Sequence, residues 1–208
     1  MPITPTDGGD LVVAYKVGNL LAQTLSDVPA STAVRIAILA ARELAGLSEE
    51  TAMSAISVVE QLTFVERRDV GHMARKAIIT ARELNYLPVN LAQRAHFLLG
   101  EMAFPTEDAG LVVDWLAGTS RAVVELELWR PDEDGWRLHV LDFASPHDEC
   151  SDSDWESYVS CCAESSRAWI QTWADQAHDL YHVPAAELLV NLFWMTQEEA
   201  HRSRDHSS

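Results

Sequence analysis

The fold of the first half of this chain is decided by residues 34–62, VRIAILAARELAGLSEETAMSAISVVEQL. Two apolar stripes at helical spacing lie on either side of Gly46, which predicts two helices joined by a short turn. Gly46 is placed to end the first helix, and Ser48 can cap the second. The stripes consist of Val34, Ala37, Ile38, Ala41 and Leu44, followed by Ala52, Ala55, Ile56, Val59 and Leu62.

The same pattern returns forty residues later, over 74–102. Its centre, ARELAGL at 41–47, recurs as ARELNYL at 81–87, which indicates an internal duplication. Pro88 is placed where the first turn of another helix tolerates proline. Residues 11–25 are amphipathic and predict one more helix. We therefore expect residues 1–105 to form a helical half, built as stacked helix pairs or as tandem winged helices.

One part of the first copy has a familiar order of residues, with Leu47-Ser48-Glu49-Glu50-Thr51 and Ala55-Ile56 followed by Val59-Glu60-Gln61-Leu62 and Phe64-Val65-Glu66-Arg67-Arg68. These residues resemble the recognition helix and wing of bacterial winged-helix regulators. The resemblance implies that the helix enters the major groove and that Arg67 and Arg68 contact phosphate. A second copy at 87–104 would offer base edges the side chains of Asn90, Gln93 and Arg94.

The second half, 106–208, begins with a predicted β-hairpin. Strict alternation of apolar and polar residues over 121–129 predicts a half-buried strand, and 136–143 predicts its partner after a short turn. In the pairing that we expect, Glu127 lies opposite His139 on the outer face. Because a two-stranded ribbon is marginal in water, its apolar face must rest on helices.

Two long helices are predicted after the hairpin. The first begins near a capping box formed by Ser153 and Glu156, and the second spans Pro184 to His201. Phe193 and Trp194 on the second helix are candidates for a docking patch. The fold class that we predict is mainly α, in an α+β arrangement, with a duplicated helix-pair half followed by a hairpin packed by two C-terminal helices.

Charge is distributed unequally between the two halves. The formal net charge is -17, and residues 106–208 hold 21 acidic and 6 basic residues against 11 and 9 in residues 1–105. Such a charge argues against nonspecific binding to nucleic acid or to anionic lipid. It favours a non-enzymatic protein-recognition module, such as an immunity protein, an inhibitor or an assembly adaptor, that presents an acidic surface to a basic partner protein.

The compartment is predicted from the amino terminus and from the cysteines. No basic residue precedes an apolar run in the first ten residues, and no stretch of about 18 uncharged apolar residues occurs, so we expect a soluble, cytoplasmic protein that does not contact the membrane. Two lysines against thirteen arginines, together with abundant alanine, suggest a bacterial or phage source. Cys150, Cys161 and Cys162 are odd in number, and two of them are adjacent. We therefore expect reduced thiols rather than a disulfide framework.

Three sets of residues are candidates for a functional site. DNA binding is the second-ranked function. It is not the leading one, because Glu49 and Glu50 at the groove-facing end of the helix would repel phosphate. A metal-dependent enzyme is a minor alternative, in which Asp175, His178 and His182 at i, i+3 and i+7 share a divalent ion. Otherwise no catalytic residue and no cofactor is predicted. The leading function uses Glu125, Glu127, Trp129, Asp148, Glu149, Asp152 and Asp154, with the carboxylates as charge and Trp129 as the aromatic anchor.

Overall fold

The computed structural model describes residues 8–62, 65–98, 101–131, 138–150 and 154–205. These residues form helices and an antiparallel sheet, which confirms the predicted mainly α, α+β class. None of the helices in the described ranges is long and apolar enough to cross a membrane. The α-helices are α1 Gly9–Thr24, α2 Ala30–Ala45, α3 Glu49–Gln61, α4 Val70–Leu84, α5 Val89–Ala92, α6 Thr106–Gly118, α7 Pro146–Glu149, α8 Trp155–Tyr181 and α9 Gln197–Asp205. The strands are β1 His96–Leu98, β2 Glu101–Pro105, β3 Ala122–Pro131, β4 Leu138–Ala144 and β5 Leu189–Met195.

The chain divides into two compact units. The first is drawn from Met1–Pro88 and Phe97–Glu101, and the second from Val89–His96 and Met102–Ser208. In the first unit α1 packs on α2 and α4, and α3 packs on the same two helices. Alanine supplies half of the buried positions of this core. Such small side chains let the helix axes approach closely. These buried alanines are Ala14, Ala33, Ala37, Ala41, Ala52, Ala55, Ala74, Ala77 and Ala81.

The turn between α2 and α3 confirms the predicted capping. Gly46 adopts the left-handed conformation with φ of 74°, which a residue without Cβ reaches readily. The Ser48 hydroxyl oxygen accepts a hydrogen bond from the Thr51 backbone N–H at 3.2 Å. The prediction that Leu44 is buried is wrong, because the buried stripe of α2 ends with Ala41 and Leu44 is 74% exposed one turn later.

The second copy of the helix pair departs from the first after its first helix. Helix α4 matches α2, but α5 has only four residues, and the chain continues into β1 and β2. The prediction of a full second helix here is therefore wrong. Met102, Ala103 and Phe104 are buried in succession in β2, and such a continuous apolar run is typical of a strand buried on both faces.

Helices α1 and α4 cross at a pair of glycines. A Cβ atom on Gly18 would lie 2.7 Å from Gly71 Cα, and a Cβ atom on Gly71 would lie 2.6 Å from the Tyr15 carbonyl oxygen. Both distances are shorter than carbon contacts allow. Glycine at 18 and 71 is therefore what permits this close crossing.

In the second unit the strand order is β1-β2-β5-β3-β4. Helices α6 and α8 pack on β3. The predicted β3–β4 hairpin is present, but its predicted register is wrong, because Glu127 lies opposite Phe143 rather than His139. The register changes at a bulge between Leu128 and Trp129, and Pro131 lies opposite Leu138. Of the predicted turn at 131–135, Pro131 is the last residue of β3, and residues 132–135 lie outside the described residues.

The predicted last helix is wrong over much of its length. Residues 189–195 form β5, which pairs with both β2 and β3, and only Gln197–Asp205 is helical. Leu189, Val190, Asn191 and Leu192 are buried. The first four residues of this interior strand are therefore buried in succession, a pattern that periodicity alone does not separate from a buried helix.

Helix α8 confirms the predicted long helix, but with a different cap. The Asp154 carboxylate accepts a hydrogen bond from the Ser157 N–H at 2.9 Å, whereas Ser153 of the predicted capping box lies outside the described residues. The prediction of three reduced thiols is wrong. Helix α7 brings Cys150 beside Cys161 with 5.9 Å between their Cα atoms, and the two form a disulfide, while Cys162 is free and buried.

Candidate protein-binding face

The two faces of strand β3 have different surroundings. Leu126 and Leu128 are fully buried and lie opposite Ala144 and Asp142 of β4. Asp142 points toward α8, because its Oδ2 atom accepts hydrogen bonds from Trp173 Nε1 at 3.0 Å and from the Tyr181 hydroxyl at 2.9 Å. Side chains alternate along a strand, so Glu125 and Glu127 lie on the face turned away from α8.

Two phenylalanines lie next to these glutamates across the sheet. Glu127 is opposite Phe143 of β4, and Glu125 is opposite Phe193 of β5. Phe143 is 50% exposed and Phe193 is 39% exposed, whereas both glutamates are half-buried. We call Glu125, Glu127, Phe143 and Phe193 the acidic–aromatic face.

The electrostatics of this face follow from its partial burial. Burial raises the pKa of the Glu125 carboxyl, and the nearby charge of Glu127 raises it further. The Trp129 indole N–H donates a hydrogen bond to Glu127 Oε2 at 2.9 Å, which orients that carboxylate. Trp129 is only 1% exposed, so the prediction that it is the aromatic anchor is wrong. Its ring is buried, and only its indole N–H contacts the face, through the hydrogen bond to Glu127.

The other predicted acidic residues lie elsewhere in the second unit. Glu149 accepts hydrogen bonds from the Ser165 hydroxyl and from Trp169 Nε1, the latter at 2.9 Å, and these bonds lower the pKa of its carboxyl. Asp154 caps α8, and its bonds to Ser157 lower the pKa of its carboxyl. Asp148 is exposed on α7, and Asp152 lies outside the described residues. Because Glu149 is bonded to α8 and Asp154 caps it, these two carboxylates lie on the side of β3 that faces α8, away from Glu125 and Glu127.

The wing arginines of the DNA-binding alternative have other partners. The Arg67 guanidinium donates to the backbone carbonyls of Leu25 at 2.5 Å, Ser26 at 2.8 Å and Val28, where it closes the end of α1. The Arg68 Nε atom lies 2.5 Å from a Glu66 carboxylate oxygen. In place of a wing, the described residues after α3 form a 3-10 turn at Arg67–Asp69 and then enter α4.

The base-reading residues of the same alternative fall in the second unit. Asn90 lies in the short helix α5, Gln93 follows it, and both are exposed. Arg94 is paired with the buried carboxylate of Asp108. The two sets of DNA-binding candidates therefore belong to different compact units, and most of their cationic side chains are engaged within the protein.

The proposed metal ligands do not form a metal site. Asp175 accepts a hydrogen bond from Gln171 at 2.8 Å, and His178 Nδ1 faces Asp179 at 3.3 Å. His182 caps the C-terminal end of α8 in the left-handed conformation, with φ of 56°. It therefore does not continue the helical face that carries Asp175 and His178. Within the described part of the chain, no group of three histidine, cysteine, aspartate or glutamate residues could hold a metal ion.

Sequence reasoning identified three of the four residues of the acidic–aromatic face. The alternation of β3 indicated both glutamates, and Phe193 was named as a docking residue, although on a helix. Phe143 was missed because the expected register paired Glu127 with His139.

Comparison of the chain with protein-family models, with curated proteins and with solved structures found no match.

Proposed function

We propose that this protein recognises another protein through the acidic–aromatic face and that the partner presents a basic surface to it. The supporting observation is the position of two half-buried carboxylates beside two exposed phenyl rings. Among the described residues, neither Glu125 nor Glu127 forms an ion pair. The negative charge of the face is thus available to a second molecule.

The two kinds of side chain supply complementary parts of a binding surface. Exposed aromatic rings gain from leaving water, and they are enriched among residues that dominate the free energy of binding. Glu125 and Glu127 repel one another, so a cation placed beside them stabilises both ionised forms. The face therefore favours a basic partner over a neutral one.

The charge of the second half extends this preference beyond the contact itself. Residues 106–208 carry a formal charge of about -15, the difference between 21 acidic and 6 basic residues. A field of one sign over a surface speeds the approach of an oppositely charged protein and weakens as salt is added. Association should therefore slow with ionic strength.

Nuclear magnetic resonance of the full chain tests this proposal. The probe is a short synthetic peptide in which basic and apolar residues alternate, added to the isotope-labelled protein at low salt. We expect amide shift changes concentrated in β3 around 125–127, in β4 around 143 and in β5 around 193. The double variant Glu125→Gln/Glu127→Gln should bind the peptide about tenfold more weakly, which corresponds to about 1.4 kcal/mol.

A matched control removes the same amount of charge elsewhere. Glu164 and Asp179 are exposed on α8, so Glu164→Gln/Asp179→Asn changes the net charge equally without altering the face. This control should keep most of the affinity of the unmodified protein. Equal losses in the two double variants, or shift changes scattered over the molecule, would contradict the proposed site.

A further inference from the structure

We infer, on the basis of the proposed function, that the partner residue recognised by the acidic–aromatic face is arginine rather than lysine. Both residues carry a positive charge, so the carboxylates alone attract either of them. The difference lies in the two phenyl rings, because a planar, weakly hydrated guanidinium can lie flat on an aromatic ring while its N–H groups bind a carboxylate. A compact, strongly hydrated ammonium gains less from the ring.

The sheet sets the spacing of the four side chains. Residues directly opposite on antiparallel strands have Cβ atoms about 4.5–5.5 Å apart, so each glutamate has one phenyl ring as its immediate neighbour. Residues at i and i+2 of a strand are about 7 Å apart on the same face. A guanidinium above either carboxylate therefore lies within reach of a ring, and it approaches the second carboxylate along the strand.

Glu127 is oriented to receive such a group. The Trp129 indole N–H occupies Oε2, and Oε1 accepts no hydrogen bond from any residue that the structure describes. A carboxylate held on one side and open on the other presents a fixed acceptor beside the Phe143 ring.

The neighbouring edge strand favours docking on the face over addition of another strand. Strand β4 ends the strand order of the sheet, but its Phe143 N–H donates to the Asp142 carboxylate at 2.8 Å, and its pairing with β3 is interrupted by a bulge. Local capping and bulges are devices that discourage strand addition. A second copy of this chain is also disfavoured as the occupant, because two acidic–aromatic faces brought together would repel one another.

Two peptides that differ only in their basic residue test the inference. Both alternate valine with the basic residue, one carrying arginine and the other lysine, and each is titrated into the full chain while amide shifts are followed. We expect the arginine peptide to bind about fivefold more tightly, the ratio that cation–π stacking supplies at a partly exposed site.

Variants of the rings separate stacking from charge. In Phe143→Leu/Phe193→Leu the glutamates remain, so both peptides should still bind, but the preference for arginine should fall to about one. Phe143→Tyr/Phe193→Tyr keeps the rings and should keep the preference. The amide spectrum of each variant establishes that it is folded.

The outcomes distinguish this inference from the proposed function. Equal binding of the two peptides at the face of the unmodified protein would overturn the selection of arginine and leave the basic partner intact. A preference for arginine that survives in the leucine variant would also overturn it, because the rings would then have no part in the selection. If neither peptide shifts the resonances of the face, the proposed function itself fails, and the arginine inference fails with it.

Discussion

Arg42 and Arg82 stand at equivalent places in the duplication but have different partners. Arg82 pairs with Asp10, whose side chain is 3% exposed, whereas Arg42 lies 3.3 Å from the exposed carboxylate of Glu49. The two arginine side chains are themselves alike, at 33% and 34% exposure. The energetic difference between them therefore comes from the carboxylate.

We expect Arg82→Met to lower the free energy of unfolding by about 3 kcal/mol, because it leaves a buried carboxylate without its cation. Arg42→Met should cost less than about 1 kcal/mol, since an exposed ion pair contributes little. Urea denaturation of both variants measures the difference. Losses of equal size would show that burial of Asp10 does not determine the strength of this contact.

Tyr181 provides a test of the bonds between β4 and α8. Burial, followed by the hydrogen bond and the charge of Asp142, raises the pKa of Tyr181 to about 12. An unfolded tyrosine ionises near pH 10, so the unfolded state is favoured as the pH rises between about 10 and 12, and stability falls over that interval.

The absorbance of tyrosinate at alkaline pH measures this shift, with Tyr181→Phe identifying the contribution of this residue. We expect Asp142→Asn to move the pKa of Tyr181 back toward its ordinary value. An unchanged titration curve in that variant would mean that burial alone holds the hydroxyl protonated. Stability measured across the same interval should fall less in Tyr181→Phe than in the unmodified protein.

At the level of single residues, the sequence predicted which carboxylates share a face better than it predicted which aromatics are exposed. The period of two along a strand places Glu125 and Glu127 together in any register. The exposure of Trp129 and Phe143 depends on the neighbouring strands and on a bulge. Neither the strand pairing nor the bulge can be predicted from the local alternation of residue types. The disulfide was missed for the same reason, since the proximity of Cys150 to Cys161 results from the turn of α7 against α8.

Among the elements, the crossing of α1 and α4 is the most sensitive to a single methyl group. We expect Gly71→Ala to destabilise the protein by about 1–3 kcal/mol, because its Cβ would meet the Tyr15 carbonyl oxygen of the facing helix. Gly110 lies within α6 with nothing within 4 Å of an added Cβ, so Gly110→Ala should stabilise by up to about 1 kcal/mol. The melting temperature should fall in Gly71→Ala and rise in Gly110→Ala, relative to the unmodified protein. A shift in the same direction would exclude the close crossing.

The disulfide between α7 and α8 predicts a specific thiol count. Of the three cysteines only Cys162 is free, so the denatured, unreduced protein should react with one equivalent of a thiol reagent. Three equivalents would contradict the bond. Reduction should lower the free energy of unfolding by about 2–4 kcal/mol, and Cys162→Ser should leave that difference in place.

The helices were predicted more accurately than the strands. Helices α1, α2, α3 and α8 each show an apolar stripe of three or more turns, which a helix period identifies. Strand β5 shows no period of two because its consecutive residues 189–192 are all buried, and its assignment requires knowledge of β2 and β3. In the second copy of the duplication, α4 corresponds to α2, but no counterpart of α3 follows it, because α5 ends after one turn.

For the molecule as a whole, the charge predicts how stability responds to salt. At pH 7 the formal net charge of -17 destabilises the compact state through repulsion. Raising the ionic strength from about 0.01 M to 0.15 M shortens the Debye length from about 30 Å to about 8 Å, so we expect the melting temperature to rise. The same addition near the isoelectric point of about 4.7 should have little effect. A similar rise at both pH values would attribute the effect to something other than net charge.

The link between Cys150 and Cys161 also determines what happens when the backbone is cut. The two cysteines are 11 positions apart, so hydrolysis of any peptide bond between them opens a closed ring without releasing either piece. A molecule nicked there would still migrate as one species until a reductant separates it into two fragments, and helix α8 would remain tethered to the strands that precede it.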